Sequence, residues 1–172
     1  VMSMLVYAIQ SGHDEAPLAY ELLERVAADP GHNGHSDALN VLFKFDHPFA
    51  VDRTRLALQQ GIGAWLGVSV DRVVAGGGVA AQEMGDVALD RLAEAELGDT
   101  ERGLLLRLLA NIDPARAAAP IIARTLEAGR LADDMLPLLA LLGGHGLTAL
   151  SQHVNEDRGA ALYTYAAAQL GD

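Results

Sequence analysis

The stretch NEDRGAALYTYAAAQLGD, residues 155–172, set beside DRTRLALQQGIGAWLG, residues 52–67, decides how this chain is read. If one copies the other, the chain is built from repeated helix pairs and offers a surface; if not, a unique fold encloses a site. Three stretches share a pattern when they are aligned on arginine. Asp52, Asp99 and Asn155 each stand three residues before Arg55, Arg102 and Arg158. Counting on from the arginines, the third residue is Leu58, Leu105 or Ala161 and the seventh is Ile62, Leu109 or Tyr165. The eighth is small in every case: Gly63, Ala110 or Ala166. A capping residue, an arginine in the first turn and an apolar stripe spaced by four describe the inner helix of a helical hairpin.

The composition points the same way. A chain of 172 residues is long enough to bury one continuous core, and a single domain is expected. Apolar residues make up 51% of it and aromatic residues only 5%, so the core is built from small aliphatic side chains. Ala and Leu, which dominate, rank high in helix propensity. The fold class expected is all-α.

Period and punctuation predict helices over residues 15–28, 37–45, 52–66, 80–97, 101–112, 115–128, 132–142, 147–154 and 157–170. Residues 67–78 carry a weaker signal that fits a short strand, an irregular turn or a poor helix. Asp99 and Asp113 stand where N-caps belong, Pro114 takes a first helical position, and Gly143 and Gly144 lie past a helix end. Pro120 and Pro137 fall inside two of the runs, so each marks a kink or a later start.

With its capped arginines and with Leu-Gly stops at Leu66-Gly67 and Leu170-Gly171, the chain resembles the HEAT-repeat family of armadillo-like α-solenoids over about residues 36–172. That resemblance implies a right-handed α-solenoid of antiparallel helix pairs. It also implies that Asp52, Arg55, Asp99, Arg102, Asn155 and Arg158 form a structural ladder holding neighbouring repeats in register. The sequence departs from the family pattern in two ways: the intervals between the three arginines are unequal, and Gly76-Gly77-Gly78 interrupts the array. A non-repetitive helical bundle is the alternative architecture.

The formal charge of −11 argues against a nucleic-acid backbone or an anionic membrane as ligand, since both need a surplus of Lys and Arg. A charged partner should be basic. Without cysteine, disulfides, thiolate zinc sites and cysteine nucleophiles are excluded. The opening VMSMLVYAIQ is apolar but lacks the basic start and cleavage site of a leader, and it is too short to span a bilayer. A soluble, cytoplasmic protein is expected, with no bound cofactor. The final helix carries few charges, so self-association into a homo-oligomer is open.

Glu83, Asp86, Asp90 and Glu94 are spaced three, four and four apart and fall on one helix face. That face is either solvated or a docking stripe for a basic protein partner, and these four are the candidate partner-binding residues. His32, His35 and Asp37 in GHNGHSD, residues 31–37, are the candidate metal ligands, set against an ordinary polar turn. Gly76, Gly78 and Ala81 match GxGxxA, which suits either a dinucleotide-binding turn or a turn between repeats. Trp65 follows the apolar spacing of its helix and is expected in the core. No serine has a GxSxG context, so no catalytic residue is assigned. The expected function is that of an acidic interaction module: an adaptor, scaffold or inhibitor of a basic partner. The alternative is an all-α enzyme or small-ligand binder using the polar group at residues 32–37.

Overall fold

The structure, a computed structural model, describes residues 2–12, 14–61, 63–94, 96–127 and 136–170. Among the described residues it is all-helical, with no strand. The order is α1 (Met2–Gln10), α2 (Ala16–Ala28), α3 (His35–Lys44), α4 (Pro48–Gln60), α5 (Gly63–Gly76) and α6 (Gly78–Leu92). There follow α7 (Asp99–Ile112), α8 (Pro114–Glu127), α9 (Leu136–Leu142), α10 (Gly144–Leu150), a 3-10 turn at Ser151–His153 and α11 (Asp157–Leu170).

Two corrections to the predicted elements have clear causes. The helix expected over 52–66 is two helices, because Gly61 adopts a left-handed conformation (φ 61°) and its N–H closes α4 on the Ala57 carbonyl. Residues 67–78, ambiguous by pattern, continue α5 to Gly76, with Val70 and Val73 fully buried. Their β-branched side chains serve core packing, which overrides a weak strand preference. Gly77 (φ 64°) and Gly78 (φ 77°) then make a sharp turn into α6. Further along, Asp113 caps α8 as expected: its Oδ1 accepts the Arg116 amide at 3.1 Å, with Pro114 in the first turn. Pro120 is carried inside α8, and Pro137 stands within α9, while residues 128–135 of the predicted helix and its approach lie outside the described residues. The opening apolar stretch, which lies outside the predicted helices, forms α1.

The substantial packing joins helices one or two places apart in the chain. Each helix packs on its successor, and α3, α5, α7, α9 and α11 also pack in sequence, as do α4 with α6 and α8 with α10. Salt bridges cross two of these junctions, Asp71 of α5 to Arg107 of α7 and Glu83 of α6 to Arg55 of α4 (3.2 Å), and a further one joins Asp86 of α6 to Arg116 of α8 (2.5 Å). The core is continuous through Leu23, Phe43, Leu58, Met84, Leu109 and Ile121, all fully enclosed.

The arginine alignment survives only in part. Leu58, Leu105, Leu109 and Ala110 are buried, and Ile62 lies outside the described residues. In the third copy the eighth residue, Ala166, is buried like Ala110, but the third, Ala161, is exposed and Leu162 beside it is buried instead. Neither do the six polar residues form one ladder. Asp52 sits in the second turn of α4 and binds its own Arg55 at 2.7 Å; Asp99 pairs with Arg124 of α8; Asn155 precedes the start of α11. Arg158 donates to the Leu126 carbonyl at 2.6 Å, tying α11 to the last turn of α8.

Candidate functional site

The acidic stripe is on α6 as the spacing requires, with Glu94 just past its end, and all four residues are exposed. Its charge is largely engaged from within. Glu83 is bound by Arg55, Asp86 by Arg116 and Glu94 by Arg91, while Asp90 makes no ion pair with a described residue. Spacing shows which residues share a face but not which arginines the neighbouring helices bring to it.

His32, His35 and Asp37 are not brought to a common point. Among the described residues no three His, Cys, Asp or Glu side chains converge in a way that could hold a metal ion. Nδ1 of His32 accepts the Gly34 amide at 2.9 Å, which consumes a lone pair a metal would need. His35 opens α3, and its ring stands edge-on to Trp65 with centroids 6.0 Å apart. Trp65 itself corrects an expectation: it is 50% exposed, because the break at Gly61 moves it onto α5 and out of the stripe of α4. His47 stacks on Tyr20 at 4.9 Å, with its Nδ1 3.6 Å from Glu24 of α2. His13 lies outside the described residues.

The GxGxxA turn leads out of a helix, and the N-terminus of α6 is already served. Asp46, a non-glycine residue at positive φ (52°), turns its carboxylate back so that Oδ1 accepts the Ala80 amide at 3.0 Å. The position that a pyrophosphate would take at that helix end is held by a carboxylate of the chain.

What sequence reasoning missed lies between α1 and α2. A groove of about 770 Å³ opens there, lined by Met4, Tyr7, Leu18 and Leu22, with Asp14 and Glu15 at its rim. Met4 is 75% exposed, Tyr7 65% and Leu18 57%. Leu18 and Leu22 share the apolar side of α2 with Leu23 and Val26, but only Ala19, Leu23 and Ala27 of α2 are fully covered. The apolar stripe of α2 is therefore wider than the surface that packs on it. A signal was present: α1, MSMLVYAIQ, carries no charged residue on any face, and a short helix with no polar side needs cover all round. Asp14 and Glu15 make no ion pair with a described residue, so the rim keeps its negative charge.

A second feature is the buried arginine of α5. Arg72 is only 5% exposed, and its partners are neutral: Nε donates to Asn40 Oδ1 at 2.9 Å and Nη1 to Thr54 Oγ1 at 3.1 Å. Desolvation pushes its pKa down to about 10, which leaves it charged at neutral pH. No described helix is long and apolar enough to cross a membrane. Comparison of the chain with models of known protein families, with characterised proteins and with solved structures gives no significant match in any of the three.

Proposed function

We propose that this chain is a HEAT-like α-solenoid acting as a protein-interaction module, whose groove between α1 and α2 receives a basic amphipathic helix of a protein partner. The architecture is supported by packing between helices one or two places apart, with salt bridges joining next-but-one neighbours. The observation that carries the function is the groove itself: exposed Met4, Tyr7, Leu18 and Leu22 beside the carboxylates of Asp14 and Glu15, which make no ion pair with a described residue. Contiguous apolar patches of this kind mark interaction sites, and a helix lying in a groove is read through anchors at helical spacing. Methionine at such a surface adapts to more than one partner shape. The acidic rim and the overall charge of −11 select a partner with Lys or Arg flanking its apolar face, speeding encounter more than adding affinity. On α6, Asp90 is the stripe residue with charge left to contribute.

The test uses a labelled amphipathic peptide with Leu anchors and Lys flanks, a charge-reversed Glu version and a scrambled control, titrated by fluorescence anisotropy. The Lys peptide should bind the wild-type protein with an affinity that falls as salt rises. Leu18→Glu should abolish binding, the double change Asp14→Lys, Glu15→Lys should weaken it several-fold, and Asp86→Lys with Asp90→Lys should leave it intact. Equal binding of the Glu peptide, or binding indifferent to Leu18→Glu, would overturn the groove. Loss confined to the Asp86, Asp90 variant would return the docking site to α6.

A further inference from the structure

A guanidinium that is 5% exposed and bonded, among the described residues, only to an amide and a hydroxyl is unusual, because a buried cation is normally matched by a carboxylate. The adjacent acid, Asp71, does not match it: its carboxylate is taken by Arg107 of α7. Arg72 also has capacity left. Its Nη2 donates to no described residue, yet no nitrogen of Arg72 is among the fully enclosed, unpartnered atoms, so Nη2 has access to space. Arg72 also lines a cleft of about 460 Å³ between α3 and α5, together with Asn40, Val41, Lys44, Val68, Asp71 and Ala75. Lys44, the only lysine of the chain, is exposed on this cleft and makes no ion pair with a described residue.

We infer that the α3–α5 cleft binds a small organic monocarboxylate with an apolar tail, its carboxylate held between the Arg72 guanidinium and the Lys44 ammonium. Hydrogen bonds from two cationic donors to one carboxylate are short and strong, and the planar guanidinium edge suits a carboxylate. The flanking Val41, Val68 and Ala75 offer apolar contact to the rest of the ligand, and the cleft is of a size that small-molecule sites occupy. A monoanion fits better than a phosphate dianion, since Asp71 shares the lining and the protein as a whole is strongly negative. The site is independent of the α1–α2 groove and of the reading placed on it.

Isothermal titration with hexanoate tests this, with hexanol and inorganic phosphate as controls. The key variant is Asn40→Asp: it keeps an acceptor on Arg72 Nε while supplying the missing negative charge from within. Hexanoate should bind the wild-type protein saturably, and roughly tenfold more weakly, or not at all, when the protein carries Asn40→Asp or Lys44→Met. Asn40→Asp should also raise the melting temperature, which shows that its loss of binding is not unfolding. Hexanol and phosphate should give no saturable heat. Hexanoate binding that is absent, or equal in all three proteins, would overturn the site. Phosphate binding as tightly as hexanoate, with the same dependence on Lys44, would overturn the assignment to carboxylates.

Discussion

Gly76 lies against the ring of Phe43 so closely that a Cβ at this glycine would stand 2.7 Å from Cδ1. Phe43 is fully buried and cannot swing into solvent, so the last turn of α5 can pack on α3 only without a side chain here. Gly76→Ala should destabilise the fold by about 1–3 kcal/mol through overpacking. Urea denaturation of Gly76→Ala, Phe43→Leu and the double variant checks it: the smaller Leu should recover part of the alanine cost, giving a coupling of opposite sign to the two single effects.

The Asp46 cap on α6 makes a second, separable prediction. Asp46→Ala removes an N-terminal cap, worth about 1 kcal/mol, and places a β-carbon without hydrogen-bonding ability at positive φ. Asp46→Asn keeps both an acceptor for the Ala80 amide and tolerance of the left-handed region, and should stay close to wild type. Equal destabilisation of the two variants in thermal melts would show that the hydrogen bond to Ala80 contributes nothing.

At Arg72 the prediction turns on unsatisfied partners. Arg72→Met leaves the buried Thr54 hydroxyl without its donor and should cost about 1–3 kcal/mol. Adding Thr54→Val should recover most of that loss, because removing both partners of a buried polar contact is far less costly than removing one. The pH dependence has a definite sign. Folding lowers the Arg72 pKa to about 10, so above that pH the unfolded chain holds a proton the native state has released. Stability therefore rises from this term as pH climbs past about 10 toward the ordinary arginine range, and its burial cost is fully present at neutral pH. The difference between wild type and Arg72→Met should change across that interval in urea titrations.

The groove is open to a measurement without any partner. Met4→Glu with Leu18→Glu replaces two side chains that are mostly in solvent, and exposed substitutions of this kind shift stability by no more than about 0.5 kcal/mol. Binding of an environment-sensitive apolar dye should fall sharply while the melting temperature moves by about 2 °C or less. A large drop in melting temperature would show that the two side chains are covered in solution.

Helix content was legible wherever period and punctuation agreed. The bounds of α2, α7, α8 and α11 follow from their apolar spacing and caps to within about two residues, the usual uncertainty at helix ends. The apolar spacing from Leu58 through Ile62 to Trp65 runs straight across Gly61 and hides the stop; only the backbone conformation shows that the chain turns there. Glu83, Asp86 and Asp90 lie on α6 and Glu94 past its end, yet Arg55 and Arg116, which engage two of them, come from helices 28 and 30 residues away in sequence. The Arg72 cleft left no local trace, since Asn40, Thr54 and Arg72 lie on three different helices.

Packing between near neighbours alone has a kinetic corollary. No substantial contact joins α1 to α11, so neither of these two helices is locked by the other. Local opening can start at a terminus and stop at an interior helix junction, with the centre still folded. Amide exchange should therefore be slowest through α5, α6 and α7 and grade toward both ends. A helix seated in the α1–α2 groove would slow exchange at the first end while leaving α11 as it was.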